Sequence, residues 1–580
     1  MLRLAPRGLI VLLLGAAAQG SLAEEAYRVK VETGVIARMR DGVALTADVY
    51  RPASEGPLPT LLKRTPYDRR DEAAAAYELA AAGYLVVVQD VRGRYASEGE
   101  FDPFRHEAED GYDSVEWAAT LPASDGRVGM FGGSYVGATQ MLAAMAKPPH
   151  LVAIAPTLTA SEYFDGWTYQ GGALMQWFTS SWASLLAIDT LDRKATRALR
   201  PQEWVRGAPA EAYPLLELPR AAELAPYYRD WIVHETDDDY WRAVKVSDHY
   251  GQMTLKALHT GGWHDIFLKG SIRNYLGLRD GAGSPESRRD QRLLLGPWAH
   301  APTSPEGKVG DVVFGRQAVP EDGERAWFDY ALKGVQNEYA TQPPVRIFVM
   351  GENVWRYENE FPLARTRTTR YFLQGSPESR AAGSLGVVRP GRSSAASFEY
   401  DPEDPAPTLG GRLCCEDFLP RGPYDQRPLE SRPDVLLFST APLERDVEVT
   451  GFVSLDLFAS TSAVDTDFTA ILADVEPSGY ARYLTDGIVR ARYRNSTRAP
   501  EPLVPGQVYK YAIDLWATSN LFRVGHRIRL YVSSSNFPRF DRNRNTGEPI
   551  LGATRSIKAR QTVYLDRDHP SALVLPIIPR

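Results

Sequence analysis

Apolar residues change their spacing three times along the chain. Up to about residue 159, short β-branched runs alternate with segments of helical spacing. Val35–Arg40 and Val43–Tyr50 read as strands around Asp41-Gly42, a strong two-residue hairpin signal. Thr60–Lys63 is a short apolar run. Asp71–Ala82 is Ala-rich and helix-like, and Gly83 closes it in the usual place past a helix C-terminus. Tyr84–Gln89 is a continuous apolar run, the pattern of a strand buried on both faces. Glu107–Thr120 and Tyr135–Ala146 have helical spacing, while Gly126–Phe131 and Leu151–Ala155 read as strands. Such alternation predicts a parallel α/β sheet. Lys256–Thr260 and Arg292–Leu295 resume it, with a last helix over Glu321–Gly334.

Residues 160–245 interrupt this pattern. They are mostly helical in spacing and hold half of the chain's 12 tryptophans: Trp167, Trp177, Trp182, Trp204, Trp231 and Trp241. From Val345 onward short alternating segments recur, among them Val345–Met350, Glu448–Phe458, Phe468–Val475 and Val508–Trp516. Many short strands after an α/β unit predict an all-β sandwich or jelly roll. The Gly/Pro/Ser-rich stretch from Pro377 to Asp434 reads as a long ordered excursion.

Composition narrows the class. The 580 residues are 44% hydrophobic and 24% charged, which is globular and long enough for two or three domains. A net charge of −7 argues against a nucleic-acid partner. Arg3 and Arg7, the apolar run Leu9–Leu14 and the small-x-small site Ser21-Leu22-Ala23 form the layout of a cleaved signal peptide over residues 1–23. No later stretch is apolar enough to span a bilayer. The sequence therefore predicts a secreted or periplasmic protein. Two cysteines, Cys414 and Cys415, exclude a disulfide scaffold. They are adjacent, a strained arrangement for a disulfide. Two buried free thiols is the favoured reading, and a clip formed in an oxidising compartment is the alternative.

The sharpest chemical signal is Phe131-Gly132-Gly133-Ser134-Tyr135-Val136-Gly137, between a predicted strand and a predicted helix. A tight turn there lifts the Ser134 hydroxyl above the sheet and aims the first amides of the helix, beginning with Tyr135, at a developing oxyanion. The usual elbow has glycine two residues after the serine; here Val136 holds that place and Gly137 follows. On such a sheet an acid and then a histidine come later in the chain. Gly261-Gly262-Trp263-His264-Asp265 and Gly296-Pro297-Trp298-Ala299-His300 both follow predicted strands, so Asp265 and His300 fall on the same sheet edge as Ser134. His264 competes for the base but comes before the acid and points away from its neighbour. His106, His150 and His234 lack such a setting, and Asp237-Asp238-Asp239 reads as a solvated surface rather than a calcium site. No metal or cofactor is expected.

These motifs, with Arg64-Thr65-Pro66-Tyr67-Asp68, Gln89-Asp90-Val91-Arg92-Gly93-Arg94-Tyr95 and Ser534-Ser535-Asn536-Phe537-Pro538-Arg539-Phe540, resemble the CocE/NonD serine hydrolases. That group includes cocaine esterase, glutaryl-7-aminocephalosporanic acid acylase, α-amino acid ester hydrolases and X-Pro dipeptidyl-peptidases. Its elbow reads G-x-S-Y-x-G, so the displaced glycine fits. The resemblance implies an α/β-hydrolase core over residues 24–159 and 246–344, a helical cap over 160–245 and a C-terminal jelly roll over 345–580. It also implies an oxyanion hole made by the Tyr135 amide and the Tyr67 hydroxyl.

The substrate is less legible. In α-amino acid ester hydrolases two carboxylates that hold the substrate amine follow the triad aspartate at two and three residues; here those places are Phe267 and Leu268. Glu162 and Asp165 lie in the cap, with nothing to place them in a pocket. Phe267, Trp167 and Trp298 suggest an apolar or aromatic acyl pocket. The expectation is a hydrolase of small-molecule esters or amides with a hydrophobic acyl group. The alternatives are an X-Pro dipeptidyl-peptidase and, from another class, a carbohydrate- or surface-binding protein that uses the jelly roll. The oligomeric state, with a homo-oligomer among the options, is left open.

Overall fold

The computed structural model describes residues 27–193, 224–301, 303–319, 323–375, 382–391, 394–415 and 419–580. The signal-peptide reading, Trp204 and residues 194–223 of the cap fall outside them. No helix among the described residues is long and apolar enough to cross a membrane.

The catalytic unit is built on one ten-stranded sheet. Its N-terminal strands are β1 (Val29–Arg38), β2 (Ala44–Pro52), β3 (Leu58–Thr65), β4 (Leu85–Asp90), β5 (Ser124–Gly133) and β6 (Leu151–Thr157). The cap carries a two-residue ribbon, β7 (Tyr169–Gln170) and β8 (Ala173–Leu174). The sheet resumes at β9 (Lys256–His264) and β10 (Gln291–Ala299). After a small ribbon, β11 (Lys308–Val309) and β12 (Val312–Val313), it closes with β13 (Val345–Val349) and β14 (Val354–Glu358). The strand order is β1-β2-β4-β3-β5-β6-β9-β10-β13-β14, and the stretch from β4 to β13 is parallel.

This places a boundary differently from the sequence reading. Val345–Val349 pairs in parallel with β10, so the catalytic sheet runs on to Glu358 rather than stopping at residue 344. Short alternating strands look alike in either domain; only the pairing partner separates them. The sequence also missed β14 and the strands Ala382–Gly386 and Ala395–Tyr400 within the Gly/Pro/Ser-rich stretch.

Helices α1 (Ala73–Ala81), α2 (Glu107–Ala119) and α3 (Tyr135–Ala146) follow the predicted spans closely. Side chains alternate across the sheet as the period of two demands. Leu62, Val87, Met130 and Ile154 pack with α2, α3 and the cap, whereas Leu61, Val86, Phe131 and Ala153 pack on the other face with Trp327 and Phe328. The cap's described part includes α4 (Gln176–Arg193) and the short helices Pro226–Val233 and Asp239–Arg242. The C-terminal unit is all-β, as a jelly roll requires, with eleven strands in one hydrogen-bonded system. Its longest strands, Val447–Thr461 and Tyr509–Phe522, pair antiparallel.

Candidate active site

β3, β5, β9 and β10 end on one edge of the sheet, which brings Tyr67, Ser134, Asp265 and His300 together. Ser134 sits at φ 60°, ψ −127°, between β5 and α3. That conformation is costly for a residue with a Cβ, and the surroundings fix it. The Ser134 N–H donates to the Thr157 carbonyl at 2.9 Å, and the Thr159 hydroxyl donates to the Ser134 carbonyl at 2.8 Å. The glycine at the displaced position has a direct cause. A Cβ on Gly137 would lie 2.7 Å from the Thr159 Cβ, so the residue that clamps Ser134 leaves no room for a side chain there.

His300 Nε2 lies 3.0 Å from Ser134 Oγ, and His300 Nδ1 lies 2.6 Å from Asp265 Oδ1. Asp265 is fully buried, and its Oδ2 accepts the Phe267 N–H at 2.7 Å. The hydrogen-bonded line is the one the chain order predicted. β9 and β10 reach it by running on through their glycine motifs, which the sequence analysis places after the strands. A Cβ on Gly262 would lie 2.4 Å from the Trp298 carbonyl oxygen, so glycine lets the two strands approach there.

Tyr67 and Tyr135 flank Ser134. The Tyr67 hydroxyl accepts the indole N–H of Trp182 at 2.9 Å and interacts with Ser134. Burial pushes its phenol above the ordinary value, against the pull of those two contacts, so at neutral pH it keeps a proton to donate. Tyr135 opens α3, where the N–H has no intrahelical acceptor. Its own hydroxyl donates to Glu107 at 2.9 Å and accepts the Phe104 N–H at 3.0 Å. Burial and the Glu107 charge hold that phenol well above its ordinary value.

Beneath these residues lies an ionic layer. Arg64, fully buried just before Tyr67, donates to Glu107 at 2.6 Å and to Gln89 at 3.0 Å. Arg92 forks onto Asp110, and Arg69 bridges Asp90 and Asp48. The charged residues of these motifs are therefore scaffolding that ties β3, β4 and α2 under the site.

The pocket candidates separate. Trp167 and Phe267 stack at 4.3 Å and 7°, and Phe267 meets the His300 ring edge-on at 5.1 Å. Trp298 does not join them. It belongs to the opposite face of the sheet, packing at 5.8 Å against Trp355 and donating its indole N–H to Ala318. Regular alternation would put Trp298 and His300, two residues apart, on one face; the register of β10 against β9 shifts between Gly296 and Ala299 and the strand ends at Ala299, so the alternation does not carry through to His300. Trp182, which the sequence reading did not assign to the site, takes its place beside Trp167 at 5.8 Å. No sequence signal marked it beyond membership of the aromatic cap.

The remaining candidates have other partners. His264 is fully buried, packs near Phe314 and Tyr483, and has its pKa pushed down to about 3 by burial, with Arg412 and Arg482 adding to the effect. His150 pairs with Glu116 and His234 with Asp238, which also caps the Asp239–Arg242 helix. Among the described residues no group of His, Cys, Asp and Glu could hold a metal ion. Glu162 pairs with Arg273 at 2.9 Å and Asp165 with Lys269 at 2.8 Å. Cys414 and Cys415 are not free thiols: they form a disulfide between neighbours, with Cα atoms 3.8 Å apart.

Comparison with known proteins follows the same lines. Residues 41–302 match the family described as X-Pro dipeptidyl-peptidase (S15 family), and residues 337–574 match the X-Pro dipeptidyl-peptidase C-terminal non-catalytic domain. The chain is 40% identical to the cocaine esterase of Rhodococcus sp. (strain MB1 Bresler), over 95% of this chain and 99% of that protein. Among solved structures, an aminopeptidase from a marine sediment archaeon, Thaumarchaeota archaeon, superposes with a TM-score of 0.81 at 26% identity, covering 98% of this chain and 99% of that one. An α-amino acid ester hydrolase superposes with a TM-score of 0.80, also at 26% identity, covering 97% and 98%.

Proposed function

The chain belongs to the CocE/NonD serine hydrolases of the S15 family, and on that premise we propose that it cleaves esters or amides with a hydrophobic, preferably aromatic, acyl group through an acyl-enzyme on Ser134. The observation that carries the reading is the Ser134–His300–Asp265 line beside the stacked Trp167–Phe267 pair. His300 Nε2 takes the hydroxyl proton as Ser134 Oγ attacks the carbonyl carbon. Asp265 holds the other ring nitrogen and stabilises the imidazolium. Tyr67 O–H and the Tyr135 N–H meet the oxyanion, where preorganised donors act most strongly. His300 returns the proton to the leaving alcohol or amine. Water, activated by the same nitrogen, then releases the acid and restores Ser134. Export behind a cleaved leader over residues 1–23 is part of the proposal, and it rests on the leader's composition alone.

A fluorophosphonate probe tests the nucleophile. The wild type should label and Ser134→Ala should not; equal labelling of both refutes the assignment. A panel of p-nitrophenyl esters with acetyl, benzoyl and phenylacetyl groups tests the acyl preference. The second reading, an X-Pro dipeptidyl-peptidase, needs an acid for a free amine. Glu162 and Asp165 are taken by Arg273 and Lys269, but Asp102 keeps a buried Oδ1 without a hydrogen-bond partner. Faster turnover of an Ala-Pro anilide than of the aryl esters would favour that reading.

A further inference from the structure

The hydroxyl of Tyr67 is itself held by a second donor, the indole N–H of Trp182. We propose that Trp182 is a positioning residue for the hydrolysis: its N–H fixes the direction of the Tyr67 O–H and strengthens that donor as the oxyanion forms. The inference rests on the reading of Ser134 as nucleophile and Tyr67 as oxyanion donor.

The chemistry of the two groups sets the direction. An indole nitrogen only donates, whereas a phenol oxygen both donates and accepts. Trp182 Nε1 lies 2.9 Å from the Tyr67 hydroxyl oxygen, so that oxygen accepts there and its own hydrogen points elsewhere. The other side chain that bonds this hydroxyl is Ser134. The Tyr67 hydrogen therefore faces Ser134 Oγ, beside the place where a substrate carbonyl oxygen gains charge. Occupying the phenol oxygen also polarises its O–H, because linked hydrogen bonds strengthen one another. Burial raises the Tyr67 phenol above its ordinary value, and the indole contact pulls it back towards a better donor. No proton passes along the pair: the N–H and O–H bonds stay intact while charge on the substrate oxygen comes and goes.

The contact is fixed from several sides. Trp182 lies on α4 and is only 1% exposed. Its ring is near-parallel to those of Tyr135 at 5.6 Å and Trp231 at 5.9 Å, and meets Trp167 edge-on at 5.8 Å, which sets the plane in which the N–H points. Arg94, equally buried, spans two backbones: it donates to the Pro66 carbonyl at 3.0 Å and to the Leu186 carbonyl at 2.8 Å. Pro66 precedes Tyr67, and Leu186 lies about one helical turn beyond Trp182, so one guanidinium sets the spacing between acceptor and donor. The Thr65 hydroxyl accepts the Tyr67 N–H at 3.1 Å and holds the same loop. The two indoles of the wall thus differ. Trp167 Nε1 is buried without a hydrogen-bond partner, so Trp167 acts through its ring alone, whereas Trp182 acts through its ring and its N–H.

Replacing Trp182 with 3-benzothienylalanine, which puts sulfur where the N–H stood and keeps the fused ring, tests the role in the whole enzyme. For p-nitrophenyl acetate and p-nitrophenyl benzoate alike, kcat should fall about tenfold, the effect of one neutral hydrogen bond, with KM little changed. In a Tyr67→Phe background the same replacement should change kcat by less than about twofold, because the two groups act as one unit. It should also raise the melting temperature above that of Tyr67→Phe alone, since it removes the N–H left without an acceptor. Trp182→Phe carries the same cycle should the benzothienyl enzyme not fold. Wild-type kcat without the N–H, a loss confined to the benzoyl ester, or equal losses with and without the Tyr67 hydroxyl overturn the proposal. Unchanged kcat in Tyr67→Phe alone would sink the oxyanion reading and this inference with it. An impaired Tyr67→Phe beside a fully active benzothienyl enzyme would sink this inference alone.

Discussion

Two buried layers meet at Ser134 and are built in opposite ways. Above it, Trp167, Trp182, Phe267 and Tyr135 form an aromatic wall held by ring contacts and by the indole N–H that Trp182 donates to Tyr67. Below it, Arg64, Glu107, Arg92, Asp110, Arg69 and Asp90 form an ionic layer. The two layers share Tyr135, whose ring stacks on Trp182 at 5.6 Å while its hydroxyl donates to Glu107. The contrast teaches how each should fail. Each ring contact is individually weak, so losses in the wall should be graded and depend on the substrate. A buried ion stripped of its partner is costly, so losses in the layer should be large and indifferent to the substrate.

The largest effect should come from the layer. Arg64→Met leaves Glu107 buried without its cation and should cost about 3–5 kcal/mol of stability. The double variant Arg64→Met/Glu107→Leu should recover much of it, read as the denaturant midpoint. Equal stability of the single variant and the wild type would break the contrast. Tyr67→Phe, at the seam between the layers, removes a donor without removing a ring. It should lower kcat by about 10²–10³-fold, the usual cost of one oxyanion donor, and cost about 1–3 kcal/mol of stability, because the buried Trp182 N–H loses its acceptor. A loss confined to KM would argue that Tyr67 only binds.

Trp167→Leu probes the wall itself. It should lower kcat/KM for a benzoyl ester by about 10–100-fold, within the 1–3 kcal/mol that hydrophobic pockets command, and leave acetyl ester turnover nearly unchanged. Equal losses for both esters would make the wall as indifferent as the layer.

A separate contrast lies in the pH dependence of stability. Burial holds the pKa of His264 down to about 3 and of His259 to about 4, so the unfolded chain binds more protons below pH 6.5. Their contribution is complete above that value and is lost as the pH falls towards 4 and then 3. Each should cost about 1.4 kcal/mol per pH unit in that window. His264→Phe should flatten the fall in melting temperature between pH 6.5 and 4.5. A fall as steep as that of the wild type would assign the acid sensitivity elsewhere.

Much of this was legible in the sequence, and the reason differs by residue. The elbow, β5 and α3 are local: strand apolarity, two glycines and a helix-forming run lie within one stretch, and the observed bounds of α3 match the predicted ones. Asp265 and His300 were legible because both follow parallel strands, and parallel strands end on one edge. Trp298 was misplaced because β10 slips register against β9 just before its end, and alternation along the chain does not reveal such a slip. Val345–Val349 was misassigned because its pattern does not name its partner strand.

The sequence by itself determined the local units, the order of Ser134, Asp265 and His300 along the chain and the aromatic excess of the interruption. Those depend on backbone preference and chain order, which short-range chemistry sets. Tertiary structure alone decided that Trp182 reaches Tyr67 and that Arg64 meets Glu107 across 43 positions. Each depends on two side chains being brought to bonding distance by packing elsewhere, and no spacing rule along one chain encodes that meeting.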